Sequence, residues 1–235
     1  MRKKRKIIYI GLIIVLVVPV ILFYNAFNGN PLSKQLSKHA LQQYLETEYP
    51  GADYTFSKPF YNFKDNGYNF TVKKVGDESG KEFDFNVSGN LMFTVTHDGI
   101  YYDRLDEKLM EKLGNEASES IWELIEADVP ELYEITVQLE VLAGMYDEDT
   151  VWTPEFEPEQ PMHVNIVIRA NQLSKERLLD LTKTIQQRLK EENCEYDYIM
   201  INANAIVAEE LDALQYAISF KQDTKITEKM IEQFD

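Results

Sequence analysis

The chain begins with a basic block that runs directly into an apolar run. The basic block consists of Arg2, Lys3, Lys4, Arg5 and Lys6, and residues 7–24 carry no charge and almost no polar side chain. At about 1.5 Å rise per residue, this run is roughly 27 Å long as a helix, close to the ~30 Å hydrocarbon core of a bilayer. The pattern predicts one transmembrane helix over residues 7–27. Because Lys and Arg stay on the cytoplasmic side of a first span, we expect residues 1–6 inside and the rest of the chain outside.

A cleaved secretory signal has the same basic start and apolar centre. Its cleavage site needs small residues one and three positions before the cut, whereas Tyr24 lies in the third position before a cut after Ala26. The single cysteine, Cys194, is far from this segment, so no lipid-anchoring cysteine follows the apolar run. We therefore favour an uncleaved signal-anchor that places a single-pass protein in the cell membrane.

After the span, the apolar positions change from a helical period to a strand period. Asn30 and Pro31 can start an amphipathic helix, and Pro50 with Gly51 ends it. From residue 53 to residue 102, short alternating runs are separated by turn signals, which predicts a meander of four or five antiparallel strands. A second helical stripe follows and ends near Pro130. We assign this helix–meander–helix segment to a first external domain, residues 28–130.

The remaining chain, residues 131–235, is predicted to form a second external domain. Strict alternation over residues 133–141 predicts a half-buried strand. Further strands, a helix from Ser174 and a final short helix follow, while residues 206–213 could form a short helix or an irregular crossover. The order of these elements implies a mostly antiparallel sheet with helices on one side. The predicted fold class is therefore α+β, with one transmembrane helix followed by two small domains of antiparallel sheet covered by helices.

Charge and cysteine content restrict the partners. The chain has 24 basic and 40 acidic residues, and without the five basic residues of the inner tail the external part has 19 basic against 40 acidic. Such a surface repels nucleic acid and suits a cationic partner, although solubility alone also explains it. One cysteine excludes an internal disulfide, and we expect Cys194 to be a buried core residue.

No local catalytic or cofactor motif is present in the sequence. The three histidines, His39, His97 and His163, are more than fifty residues apart and do not have metal-ligand spacing. There is also no phosphate-binding loop, nucleophile elbow or dinucleotide fingerprint. We therefore expect no cofactor and no enzymatic activity. A surface enzyme whose site is assembled from distant residues is the alternative, because such a site leaves no local trace.

The most distinctive polar segment lies between residues 146 and 160. It combines carboxylates with aromatic residues and prolines, and its candidate partner-binding residues are Asp147, Asp149, Trp152 and Phe156. Clustered carboxylates suit calcium, and an exposed tryptophan could anchor a basic protein partner. The alternative, which we favour, is a solvated loop stiffened by prolines, with Trp152 folded back onto the second sheet.

Several segments resemble a known family. Residues 24–31 (YNAFNGNP), residues 61–65 (YNFKD) and residues 101–105 (YYDRL) are similar to the YfjL-like small membrane proteins of Bacillus-type bacteria. The resemblance implies a single-pass membrane protein with two small external domains and no established activity, and it transfers no site residues. Our leading hypothesis is a membrane-anchored extracytoplasmic binding or interaction module, with a surface enzyme or a calcium-responsive sensor as alternatives.

Overall fold

A computed structural model describes residues 2–90, 92–207 and 210–234, without the side chains of residues 2–5, 7, 8 and 10. The first element is a long apolar helix, α1 (Arg2–Asn28). Of the predicted topology residues, Lys6 is exposed, and the side chains of the other four lie outside the described part. Among the described residues, one helical stretch, near the N-terminus, is long and apolar enough to cross a membrane, and none of its most apolar window is buried in the protein.

Residues up to Asp103 form the first of two compact units. After α1 come α2 (Pro31–Glu48), β1 (Tyr54–Phe56), β2 (Phe60–Asn62), β3 (Gly67–Lys74), β4 (Glu82–Gly89), β5 (Phe93–Asp98) and α3 (Gly99–Asp103). All strand pairs are antiparallel, in the order β1-β3-β4-β5, and β2 also pairs with β3. The predicted meander is confirmed for residues 54–98, whereas residues 100–102, predicted to continue it as a strand, lie in the short helix α3.

Helix α2 and the sheet of the first unit share one core. The helix begins with a capping box in which Asn30 and Ser33 bond each other's backbone N–H groups. Leu41 and Leu45 of α2 are buried together with Phe70 and Phe85 of the sheet. Because side chains alternate across a strand, the residues between these buried positions lie on the opposite face of the sheet, away from α2.

The second unit runs from Arg104 to the C-terminus. It contains α4 (Glu107–Ile125), β6 (Leu132–Glu140), β7 (Gln160–Arg169), α5 (Lys175–Glu191), β8 (Tyr198–Val207), β9 (Glu210–Phe220), a 3₁₀ turn (Glu228–Met230) and β10 (Glu232–Gln233). The strand order is β10-β9-β8-β7-β6. Strands β7 and β8 are parallel, with α5 as the crossover between them, and the other pairs are antiparallel. The predicted α+β class, a long apolar helix followed by two sheets with helices, is confirmed.

Three further details differ from the sequence predictions. The units divide between Asp103 and Arg104, not near residue 130, because the apolar face of α4, including Leu113 and Ile121, belongs to the core of the second unit. Residues 206–213 do not form a helix or an irregular crossover in their described part, since β8 and β9 extend into a long hairpin. The predicted final helix is a single 3₁₀ turn followed by a short strand, β10.

Candidate functional site

The open face of the first sheet carries a cavity lined mainly by short polar side chains. We call this feature the amide basin, and its volume is about 770 Å³. Its lining residues are Asp65, Asn69, Asp84, Phe85, Asn86, Ser88, Thr96 and His97. They come from β3, β4, β5 and the turn before β3, so adjacent antiparallel strands bring together residues that are up to 32 positions apart in the chain.

Asn86 lies at the centre of a hydrogen-bond network in the amide basin. It sits directly opposite Asn69 in the β3–β4 register, and its Nδ2 donates to Asn69 Oδ1 at 2.6 Å. Its Oδ1 accepts bonds from Ser88 Oγ and Thr96 Oγ1, each also at 2.6 Å. The four side chains therefore form one connected array in which each supports the orientation of the next.

Asparagine is unusual in this position, because it is depleted in strand interiors relative to β-branched and aromatic residues. Two half-buried asparagines that face each other across neighbouring strands therefore run against local strand preference. Departures of this kind are expected where a sequence serves function in addition to folding. The Asn86 bonds leave the Nδ2 group of Asn69 available as a donor.

The sides of the amide basin add aromatic and acidic groups. His97 stacks on Tyr102 with ring centroids 4.8 Å apart and 13° between the planes. The carboxylates of Asp65 and Asp84 are exposed, and Asp84 Oδ1 accepts a bond from Thr71 Oγ1 at 3.2 Å. The lining residues of the described cavity include no Lys or Arg. This combination of amides, hydroxyls, carboxylates and a flat ring suits a neutral ligand with many hydroxyl groups and disfavours an anion.

A buried carboxylate next to the amide basin has a structural role. Asp98, at the end of β5, is only 7 % exposed. Its Oδ2 accepts bonds from the hydroxyls of Tyr44 (2.8 Å) and Tyr49 (2.6 Å), and its Oδ1 accepts from the N–H groups that begin α3. Burial, and then the bond to Asp98, raise the pKa of Tyr44. Both Asp98 oxygens are satisfied, so this group ties α2 and α3 to the sheet.

The predicted partner-binding loop has a different arrangement. Trp152 is 7 % exposed within the core of the second unit, and its backbone N–H donates to Glu116 Oε2 at 2.8 Å. The hypothesis that Trp152 is an exposed anchor for a partner is therefore wrong. The favoured alternative, in which Trp152 folds back onto the second sheet, is confirmed. Phe156 is half-buried against the ring of Tyr146, 4.8 Å away between centroids.

The acidic residues of the same loop do not converge on a cation site. Asp147 and Asp149 are both exposed, and their role in partner binding stays a prediction. The loop already holds a cation, because Lys112 Nζ donates to the carbonyl oxygens of Thr150 (2.7 Å) and Glu148 (3.2 Å). Across residues 2–90, 92–207 and 210–234, no group of three or more His, Cys, Asp or Glu side chains could hold a metal ion.

Cys194 lies in the core of the second unit. It is 2 % exposed, and burial raises the pKa of its thiol to about 11. The thiolate is the reactive form of cysteine, so this side chain is inert at neutral pH. The expectation of a buried core residue is confirmed.

The passage from α1 into the first sheet forms a second well-defined site, which we call the anchor junction: Gly29, Asn30, Ser33, Tyr61 and Tyr68. Gly29 has φ +67° and donates its N–H to Asn25 O at 2.9 Å. The Tyr68 hydroxyl bonds the N–H and the carbonyl of Asn30, both at 3.1 Å, and Ser33 Oγ at 2.7 Å. Tyr68 is buried and its ring lies 5.0 Å from that of Tyr61. The end of α1 is therefore fastened to β2 and β3.

Comparison with known proteins identifies two family models that together span most of the chain. A model described as "YfjL-like, N-terminal domain" matches residues 4–99, and one described as "YfjL-like C-terminal domain" matches residues 116–235. No curated protein matches. Among solved structures, the chain matches the crystal structure of a DUF5037 family protein from Ruminococcus gnavus at 11 % identity and a TM-score of 0.22, with 72 % of this chain and 74 % of that chain covered.

Proposed function

The chain belongs to the YfjL-like family, and on this premise we propose that it is a membrane-anchored external module that binds a neutral, hydroxyl-rich glycan in the amide basin. The anchor is α1, whose uncharged run matches the hydrocarbon thickness of a bilayer. The basic tail, residues 2–6, keeps the N-terminus cytoplasmic and directs both units to the outer side of the cell membrane.

One observation carries the choice of ligand: the Asn69–Asn86 pair with Ser88 and Thr96 bonded to it. Amide and hydroxyl groups of this kind donate and accept at once, as sugar hydroxyls do. Because the four side chains already hold one another, little rotamer freedom is lost when a ligand binds. The stacked pair His97–Tyr102 provides a flat apolar surface for the C–H face of a sugar ring.

We also propose that the module binds without chemical turnover. The buried carboxylate and the buried thiol, Asp98 and Cys194, are accounted for by structural roles. Four of the eight residues that line the amide basin, Asn69, Asn86, Ser88 and Thr96, are neutral donors and acceptors. A cationic or protein partner of the acidic surface stays a separate prediction.

The test is oligosaccharide binding by the full-length protein in lipid nanodiscs, measured by calorimetry with neutral glucans and with N-acetylglucosamine oligomers. Asn86→Ala removes the centre of the array, so we expect affinity to fall at least about tenfold, equivalent to about 1.4 kcal/mol. Asn202→Ala is the matched control, because Asn202 is a half-buried asparagine in the interior of β8. It should leave the affinity unchanged.

Two results would overturn the proposal. One is the absence of binding by any oligosaccharide to a protein whose far-ultraviolet circular dichroism is native. The other is an equal loss in both asparagine variants, which would mean that the amide basin is not the binding site. Release of shortened sugars during the same incubation would favour the surface enzyme over a binding module.

A further inference from the structure

The end of α1 adjoins a set of exposed apolar side chains that belong to the first unit. Phe27 lies in the last turn of α1 and is 47 % exposed, and its ring centroid is 5.2 Å from that of Phe63. Phe60 lies in β2 and Phe63 directly follows it, and they are 69 % and 51 % exposed. Leu32, in the first turn of α2, is 67 % exposed. We call these four residues the collar.

If α1 spans the membrane as proposed above, the position of Phe27 on α1 sets the depth of the collar in the bilayer. The apolar run ends at Tyr24, and Phe27 is three residues further, about 4.5 Å along the helix axis. That step leads out of the hydrocarbon and into the headgroup region, where aromatic side chains are enriched. Since the ring of Phe63 contacts that of Phe27, Phe63 lies at a similar depth.

The anchor junction keeps the collar in this position. Gly29 has no Cβ, which allows Tyr68 and Tyr61 to pack against the chain where α1 ends. The bonds from Tyr68 to Asn30 and Ser33 then fix the first turn of α2 to β3. A flexible linker would let the domain lift off the bilayer, whereas this junction holds β2 beside the end of the span.

The charge of this segment differs from that of the rest of the chain. Residues 27–64 contain four lysines and three acidic residues, whereas residues 65–235 contain 15 basic and 37 acidic residues. Lys58 and Lys64, which flank Phe60 and Phe63 in the sequence, are exposed. The part of the chain that adjoins the span is therefore free of the acidic excess that would repel anionic headgroups.

We propose that the collar inserts into the headgroup region of the outer leaflet, so that the first unit rests on the membrane surface instead of standing away from it. The partner is the lipid surface itself. Phe60, Phe63 and Leu32 transfer from water to the interface, and Lys58 and Lys64 contact lipid phosphates. This proposal depends on membrane anchoring by α1, and the experiment distinguishes the two.

The experiment uses full-length protein in vesicles of equimolar phosphatidylcholine and phosphatidylglycerol, with and without lipid chains brominated near the headgroup. Two variants, Phe63→Trp and Phe60→Trp, place a fluorophore in the collar. The control is Val75→Trp, because Val75 is 54 % exposed and lies away from the collar. It directly follows Lys74, the end of β3 that is about 23 Å along the strand from Gly67. Trp122 and Trp152 contribute the same background in every variant.

We expect bromolipid to quench the added emission of both collar variants at least about twofold more strongly than that of Val75→Trp, with a blue-shifted maximum. Flotation of the same vesicles at alkaline pH reports anchoring independently. Protein that floats while all three variants are quenched equally would overturn the collar proposal and leave the anchor intact. Protein that does not float would overturn both.

Discussion

The anchor junction makes a quantitative prediction for Gly29→Ala. Gly29 has φ +67°, a backbone conformation that costs an L-residue about 1–2 kcal/mol. A Cβ at this position would overlap the hydroxyl of Tyr68 and would lie 2.9 Å from ring carbons of Tyr61. Tyr61 and Tyr68 belong to strands β2 and β3. Relief of this steric overlap therefore requires movement of the Tyr68 hydroxyl away from its hydrogen-bond partners, Asn30 and Ser33.

The expected cost combines three terms. Backbone strain costs about 1–2 kcal/mol, and displacement of the Tyr68 hydroxyl weakens three hydrogen bonds of about 1 kcal/mol net each, which costs about 2 kcal/mol when they are weakened but not all lost. Reduced freedom of the unfolded chain returns about 0.4–1 kcal/mol for any Gly→Ala change. Together these terms give a loss of about 3 kcal/mol for the first unit. Gly51→Ala provides the matched control, since Gly51 also has positive φ, +84°, but has no atom within 4 Å of an added Cβ.

The assay is native-state hydrogen exchange, followed by mass spectrometry on peptides that cover β3. For Gly51→Ala we expect a loss of about 1 kcal/mol. The difference of about 2 kcal/mol between the two variants corresponds to roughly thirtyfold faster exchange in Gly29→Ala, if the amides exchange through opening of the unit. Removal of the hydroxyl in Tyr68→Phe should reduce the additional cost of Gly29→Ala, which a double-mutant cycle measures.

Equal exchange rates in Gly29→Ala and Gly51→Ala would refute this reasoning. They would mean that only backbone strain matters at Gly29 and that the fit against Tyr68 and Tyr61 contributes nothing. Strict additivity with Tyr68→Phe would lead to the same conclusion for the hydroxyl alone.

Two further predictions concern the second unit. Gly114→Ala places a Cβ 2.8 Å from the carbonyl oxygen of Val137. We expect the free energy of unfolding to fall by about 1–2 kcal/mol, although alanine favours a helix by about 1 kcal/mol relative to glycine. A higher Tm in the variant would contradict the close approach of α4 to β6. The bond from Arg177 lowers the pKa of Glu131, so the stability it provides is present above the ordinary carboxyl pKa and is lost as the pH falls through the lowered value. Arg177→Gln should therefore flatten the fall in Tm below about pH 4, and an unchanged acid slope would show that this pair does not contribute.

Local patterns predicted the individual elements well. The alternation of Tyr68, Phe70 and Val72 predicts a strand with one buried face, and the structure buries all three in β3. Asn30 followed by Pro31 predicts the start of α2, and both capping bonds are present. These features depend on neighbours in sequence, for which a single chain carries direct information.

The assignment of elements to domains could not be obtained in this way. The apolar stripe of α4 is compatible with either sheet, and it is the contact of Leu113 and Ile121 with the second core that decides between them. The parallel pairing of β7 and β8 likewise depends on where α5 returns the chain, which periodicity does not encode. Residues 206–213 mix apolar and acidic residues without a clear period, so their sequence is ambiguous between helix and hairpin.

The candidate site was missed because its signal looks ordinary along the chain. Asn69 and Asn86 occupy the polar positions of alternating strands, so each one, taken alone, is typical of the solvent-facing side although asparagine is disfavoured in strands. Only the register that sets them opposite each other shows the array. The acidic neighbours of Trp152 suggest a binding residue, but whether a loop residue is buried depends on tertiary structure and not on its neighbours in sequence.

The parallel pair β7–β8 sets an order of events during biogenesis. If the chain after α1 is exported in order, as the proposed topology requires, residues 28–103 emerge before any of the second sheet, and the strand pairs of the first unit join segments close in sequence. In the second unit, β7 has one partner ready in β6, but its other edge stays open until Lys175–Glu191 and then Tyr198 have been exported. Non-local pairing of this kind is slow and leaves an open strand edge exposed. Under the proposed topology, the interval between the emergence of Arg169 and of Tyr198 is therefore the period in which the second unit depends most on protection from aggregation.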